Sequence, residues 1–119
     1  MKEEKPDWDL KKRTRLFALR ILRLYAELPK TVEAQVIGRQ LLRSGTSVGA
    51  HYREGVGARS RNEFIAKIEG GLQELEETAY WLELLSYAKI AQPDEIYQEV
   101  EELLAIFVAI SKKTKAAIS

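Results

Sequence analysis

The sequence predicts an all-α protein, an antiparallel up-down-up-down four-helix bundle, and three observations carry that prediction. Four segments, each roughly 20–28 residues long, repeat apolar side chains at spacings of three and four. Each break between them holds a proline, a pair of glycines or a helix-capping residue. No segment shows the period-two alternation of a strand. At 1.5 Å per residue these helices would be about 30–42 Å long, and similar lengths joined by short turns pack as antiparallel neighbours. The chain, residues 1–119, is read as one domain with helices at approximately 9–28, 31–57, 60–89 and 93–115.

The first helix is predicted from Leu10, Thr14, Phe17, Ile21, Leu24 and Leu28, which line one face, and Pro29 stops it. Thr31 caps the second, whose stripe is Ala34, Ile37, Leu41, Ser44, Val48 and Tyr52. Gly55 and Gly57 suit a left-handed cap at its end. Ser60-Arg61-Asn62-Glu63 has the form of a capping box and opens the third helix. That helix carries Ile65, Ile68, Leu72, Leu75, Ala79, Leu82 and Ser86, with Phe64, Gly71, Thr78, Trp81 and Leu85 beside them. Pro93 fits the start of the fourth, lined by Ile96, Val100, Leu103, Phe107, Ile110 and Thr114. Lys112, Lys113 and Lys115 complement the negative end of its dipole.

Composition narrows the chemistry. With 45% hydrophobic and 31% charged residues the chain is globular in type, and without cysteine it has neither disulfides nor thiolate ligands. The stretch Met1 to Asp7 is polar and has no apolar core like that of a signal peptide, and the run Leu103 to Ile110 is too short to span a bilayer. A cytoplasmic protein with no membrane association is therefore expected. The net charge is +1, unevenly spread. Residues 1–61 hold 14 Lys or Arg against 7 Asp or Glu, net +7, while residues 62–119 hold 5 against 11, net −6. Such a split is either two solvated faces or a basic half that meets an acidic partner, nucleic acid or a neighbouring copy.

The usual catalytic constellations are missing. His51 is the only histidine, so the paired Glu-x-x-His ligands of a di-iron bundle cannot be assembled. No phosphate-binding G-x-x-x-x-G-K-[ST] loop occurs, because Gly45-Thr46-Ser47-Val48-Gly49 falls inside a helical pattern. Ser47 and His51 stand four apart, but a nucleophile also needs an oriented base, and a serine in a helix more simply bonds back to its own backbone. The acidic run Asp94, Glu95, Glu99, Glu101 and Glu102 reads as a solvated face. Neither enzymatic activity nor a cofactor or metal is expected.

Four groups of residues remain as candidates. Lys12, Arg13, Arg15, Arg20, Arg23, Arg39, Arg53, Arg59 and Arg61 are candidate contacts for nucleic acid or a protein partner, since phosphate binding needs charge rather than a fixed spacing. A turn centred near residues 58–59 sets Arg43 opposite Glu74 and Glu77, either as a structural ion pair or as a ligand contact. The same register sets Gly45 and Gly49 opposite Gly70 and Gly71. Glycine costs a helix about 1 kcal/mol relative to alanine. Its compensation here is either close helix packing or room for a large neighbour such as Tyr80 or Trp81. Phe64, Trp81, Leu85, Tyr97, Leu104 and Val108 lie off the main stripes of helices three and four, and spare apolar width of this kind predicts a subunit interface.

The run Gln40-Leu41-Leu42-Arg43-Ser44-Gly45-Thr46-Ser47-Val48-Gly49-Ala50 with Tyr52-Arg53-Glu54 resembles the second helix of a bacterial four-helix-bundle family. Arg59-Ser60-Arg61, Glu63-Phe64-Ile65 and the segment Glu74 to Leu85 continue the likeness. That family comprises proteins encoded in intervening sequences of 23S ribosomal RNA genes, and includes accessory proteins of diversity-generating retroelements. The resemblance implies a four-helix protomer in a ring-shaped homopentamer. For the retroelement members it also implies a basic surface that contacts reverse transcriptase and nucleic acid. The function expected is thus a non-enzymatic, self-assembling scaffold or adaptor, the alternative being a dedicated RNA- or DNA-binding accessory protein.

Overall fold

Asp9, Thr31 and Ser60 start three helices because each side chain accepts a backbone N–H that the first helical turn leaves without a partner. Their oxygens lie 3.1, 3.3 and 3.0 Å from the amide nitrogens of Lys12, Ala34 and Glu63. Glu63 reaches back to the amide of Arg59 at 2.9 Å. In this computed structural model, which describes residues 9–118, the helices are α1 (Leu10–Glu27), α2 (Val32–Val56), α3 (Arg61–Tyr87) and α4 (Asp94–Ile118). No strand occurs among the described residues, and Met1 to Asp7 lie outside them.

The helix ends follow local chemistry. Leu28 turns extended ahead of Pro29. Gly57, expected in a left-handed cap, has φ −87° and ψ 8°, and Gly55 is buried inside α2, so neither uses its conformational freedom. The left-handed residue is instead Lys89 at φ 61°, past the end of α3, where the Ile90 amide closes on the Leu85 carbonyl at 2.9 Å.

Side-chain contacts establish the antiparallel order. Arg43 meets Glu77 and Glu54 meets Lys67 across α2 and α3. Glu69 meets Ser111 and Glu83 meets Tyr97 across α3 and α4. Gly49 faces Thr14 and Gly38 faces Tyr25 across α1 and α2. The result is a four-helix bundle in which α2 and α3 form the broadest pair and α1 touches α4 only sparingly.

The core is the sum of the four stripes. Phe17, Ile21, Leu41, Val48, Ile68, Leu75, Leu82, Val100, Leu103 and Phe107 are all but inaccessible, and each such side chain contributes roughly 1.5–3 kcal/mol by leaving water. Four hydroxyls share this interior, and all are partnered. Thr14 donates to the Leu10 carbonyl (2.6 Å), Thr78 to the Glu74 carbonyl (2.7 Å) and Ser111 to a Glu69 carboxylate oxygen (3.2 Å). Ser44 and Thr78 bond each other at 2.8 Å, a polar rivet in the middle of the α2–α3 seam.

The glycines correct the expected register. Gly45 and Gly49 do not face Gly70 and Gly71. They face α1, where a Cβ would come within 2.9 Å of Ile21 and 3.0 Å of Thr14. A Cβ on Gly70 would meet the His51 ring at 2.7 Å, and one on Gly71 would meet the Phe107 ring at 2.7 Å. These glycines therefore make room for large side chains, though for His51 and Phe107 rather than for Tyr80 or Trp81.

Candidate functional site

Three groups of side chains stand out once the helices are placed: a charged cluster on the α2–α3 seam, the outer surfaces of the two hairpins, and a groove between α3 and α4.

In the seam cluster, Arg43 bonds Glu77 and lies 3.6 Å from Glu74. Glu77 also accepts from the Trp81 indole nitrogen at 2.9 Å. The Arg43 guanidinium, together with that indole, holds the Glu77 carboxyl below the usual carboxylate range. Trp81 packs edge to face with Tyr80, with centroids 4.9 Å apart and planes at 62°. His51 stands beside this group over Gly70, its Nε2 3.7 Å from Glu74 Oε2. Ser47 donates to its own helix at the Arg43 carbonyl, 2.6 Å away, so it is not directed at His51. The chain of contacts from Arg43 through Glu77 and Trp81 to Tyr80 fixes an aromatic pair at the surface.

The charge split of the sequence becomes spatial. The α1–α2 hairpin, residues 10–56, holds ten Lys or Arg and three Asp or Glu, net +7, whereas residues 61–118 hold six and eleven, net −5. Arg13 is removed from the set of surface contacts. Its guanidinium is tied to Glu99 at 2.8 Å and to Glu102 at 2.6 Å on α4, and those hydrogen bonds raise its already high pKa. Arg61 gives one N–H to the Ala117 carbonyl at 3.3 Å. The side chains of Lys12, Arg15, Arg20, Arg23, Arg39, Arg53 and Arg59 make no salt bridge among the described residues. All of them but the half-buried Arg20 are exposed, so the outside of α1–α2 is a basic surface that no acidic side chain among the described residues pairs with.

The apolar candidates separate. Leu85 is fully buried in the core of its own chain and is removed from the interface set, because the α3 stripe turns further toward the centre than its spacing implied. Phe64, Trp81, Tyr97 and Leu104 pack against the core with one side and keep the other accessible, and Val108 is exposed. Sequence periodicity missed a second set. Leu16, Leu19 and Leu22 stand exposed on α1, as do Val32 and Val36 on α2 and Tyr80 and Tyr87 on α3. The signal was present: three leucines of α1 fall outside its core stripe.

A shallow groove of about 600 Å³ runs between the end of α3 and the start of α4, lined by Glu83, Tyr87, Asp94, Tyr97 and Glu101 among others. Tyr97 donates to Glu83 at 2.8 Å, and that bond pushes the phenol pKa up. No cluster of metal-ligating side chains and no helix long and apolar enough to cross a membrane occurs among the described residues.

Comparison with known proteins places this geometry. The family model described as 23S rRNA-intervening sequence protein matches residues 6–112. A crystal structure at 1.70 Å of a protein with unknown function from the S23 ribosomal protein family of Bacteroides thetaiotaomicron VPI-5482 superposes with a TM-score of 0.81. The two are 39% identical over 86% of this chain and 97% of that one. No curated protein matches the sequence.

Proposed function

Because the chain belongs to the 23S rRNA-intervening sequence protein family, we propose that it is a non-enzymatic scaffold or adaptor of the cytoplasm that assembles with copies of itself into a closed ring. The observation that carries this reading is the division of charge between the hairpins, net +7 on residues 10–56 and net −5 on residues 61–118. Exposed apolar side chains lie on both. Opposite surfaces on one chain favour a heterologous contact, in which the basic hairpin of one subunit meets the acidic hairpin of the next and rotation closes the set. The family resemblance supplies the number five.

Light scattering at micromolar concentration is expected to report about five times the 13.6 kDa chain mass. A single-chain mass at every concentration would refute assembly, and a dimer would refute the ring.

A second reading has its own observation, the uncompensated arginines of α1 and α2. On this reading the basic surface holds RNA or DNA, for instance beside a reverse transcriptase. Affinity is then expected to fall steeply with salt, and reversing Arg15, Arg23 and Arg53 to Glu to weaken binding evenly across sequences. No retention of RNA or DNA in a filter-binding assay at about 50 mM salt would remove this reading.

A further inference from the structure

We propose that the contact between copies is made by two specific faces, neither of which belongs to the stripes that build the core. The leucine face of α1, centred on Leu19, docks on an aromatic platform of the next copy centred on Tyr80. This rests on the self-assembly reading above and adds which surfaces meet.

The α1 core face is Leu10, Thr14, Phe17 and Ile21. Leu16, Leu19 and Leu22, exposed by 47%, 38% and 46%, therefore point away from it. Arg15 and Arg23 stand four residues before and after Leu19, on its own side of the helix, and neither has an acidic partner among the described residues. An apolar ridge flanked by two arginines is costly to leave in water, and none of the described residues covers it.

The platform has the complementary character. Tyr80 and Tyr87 are 53% and 84% exposed, and they share a face because they are seven residues apart. Glu76 and Glu83 stand four before and three after Tyr80. The α2–α3 register, set by the Arg43–Glu77 and Ser44–Thr78 bonds, brings exposed Val36 level with this stretch and extends the apolar area. Tyr80 is also held in advance. Its ring packs on Trp81, Trp81 is hydrogen-bonded to Glu77, and Glu77 is held by Arg43. A rigid aromatic costs little entropy to bury, which is why such residues anchor interfaces.

The spacings agree. At 1.5 Å per residue, Arg15 and Arg23 are about 12 Å apart along α1, and Glu76 and Glu83 about 10.5 Å apart along α3. One helix laid along the other brings both charge pairs into reach while the leucines cover the tyrosines. The occupant of each face is thus a second copy of this chain. Because the two faces differ, the contact runs head to tail.

The test uses Leu19→Glu and Tyr80→Glu in the full chain, with mass read by light scattering and fold by circular dichroism. Each variant alone is expected to fall to the mass of one chain with unchanged helicity. Mixed together they are expected to form a two-chain species and nothing larger, since each keeps one intact face. If either variant keeps the wild-type mass, or if the mixture does not pair, this contact is wrong while assembly through other faces stands. A wild-type protein at single-chain mass would sink assembly itself. Should either variant lose helicity, charge reversal decides. Arg15→Glu with Arg23→Glu, and Glu76→Arg with Glu83→Arg, are each expected to dissociate the assembly, and all four together to restore it. Failure to restore it refutes the pairing.

Discussion

Phe107→Ala is expected to lower the unfolding free energy by about 3–5 kcal/mol, read as a fall in the urea midpoint at fixed protein concentration. Phe107 is fully buried on α4 and packs against the Tyr52 ring, with centroids 6.2 Å apart. Its ring also occupies the space left by the absent side chain of Gly71, where a Cβ would lie 2.7 Å away. Removing the ring forfeits its burial and opens a hole bordered by three helices, because Tyr52 is on α2 and Gly71 on α3. The same geometry makes the two positions interdependent. Gly71→Ala alone overpacks the site and is expected to cost about 1–3 kcal/mol. In the Phe107→Ala background the added methyl enters vacated space and gains the roughly 1 kcal/mol by which alanine exceeds glycine in a helix. The double variant should therefore be no less stable than Phe107→Ala alone. Strictly additive losses would show that the ring does not fill the glycine's place.

That dependence of Gly71 on Phe107 marks where the sequence stopped being readable. What local chemistry controls was legible. Asp9, Thr31 and Ser60 cap helices, Pro29 and Pro93 bound them, and the three-four stripes name nearly the whole core. The helix ends expected at 28, 57 and 89 fall at 27, 56 and 87. α4 runs on to Ile118 rather than stopping at 115, because three lysines favour a helix end without breaking one. What depends on the rotation of one helix against another was not legible. Gly45 and Gly49 share a helix with Ser44 and lie near it in sequence, yet they turn to α1 while Ser44 turns to α3. The rotation of α2 about its own axis separates those readings, and a turn length does not determine it. Leu85 entered the core for the same reason. Arg13 looked like part of a basic surface because its partners, Glu99 and Glu102, are distant in sequence and lie on a helix that α1 barely touches.

The sparse contact between α1 and α4 gives that arginine an outsized role, and Arg13→Met is expected to cost about 1.5–3 kcal/mol. Arg13 donates from Nε and from an Nη to the two oxygens of Glu99, at 2.8 and 3.0 Å, which is the paired geometry that makes such contacts strong. Its side chain is 19% exposed and that of Glu99 16%, so solvent screens the pair only in part. Methionine keeps the length and apolar stem of the side chain but leaves Glu99 half-shielded and without its cation, and that orphaned charge is the main source of the loss. Glu102 behaves differently. At 53% exposure it is a surface partner, and Glu102→Gln should cost less than about 1 kcal/mol. The origin of the effect is separable by a second change. Arg13→Met with Glu99→Leu removes both charges and fills the seam with apolar volume, so most of the lost stability is expected to return. Denaturant titration of the four proteins at one concentration measures this. If the double variant is as unstable as Arg13→Met, the seam depends on the ion pair itself and not on the penalty of breaking it. If Arg13→Met matches the wild type, α1 is held to the bundle by α2 alone.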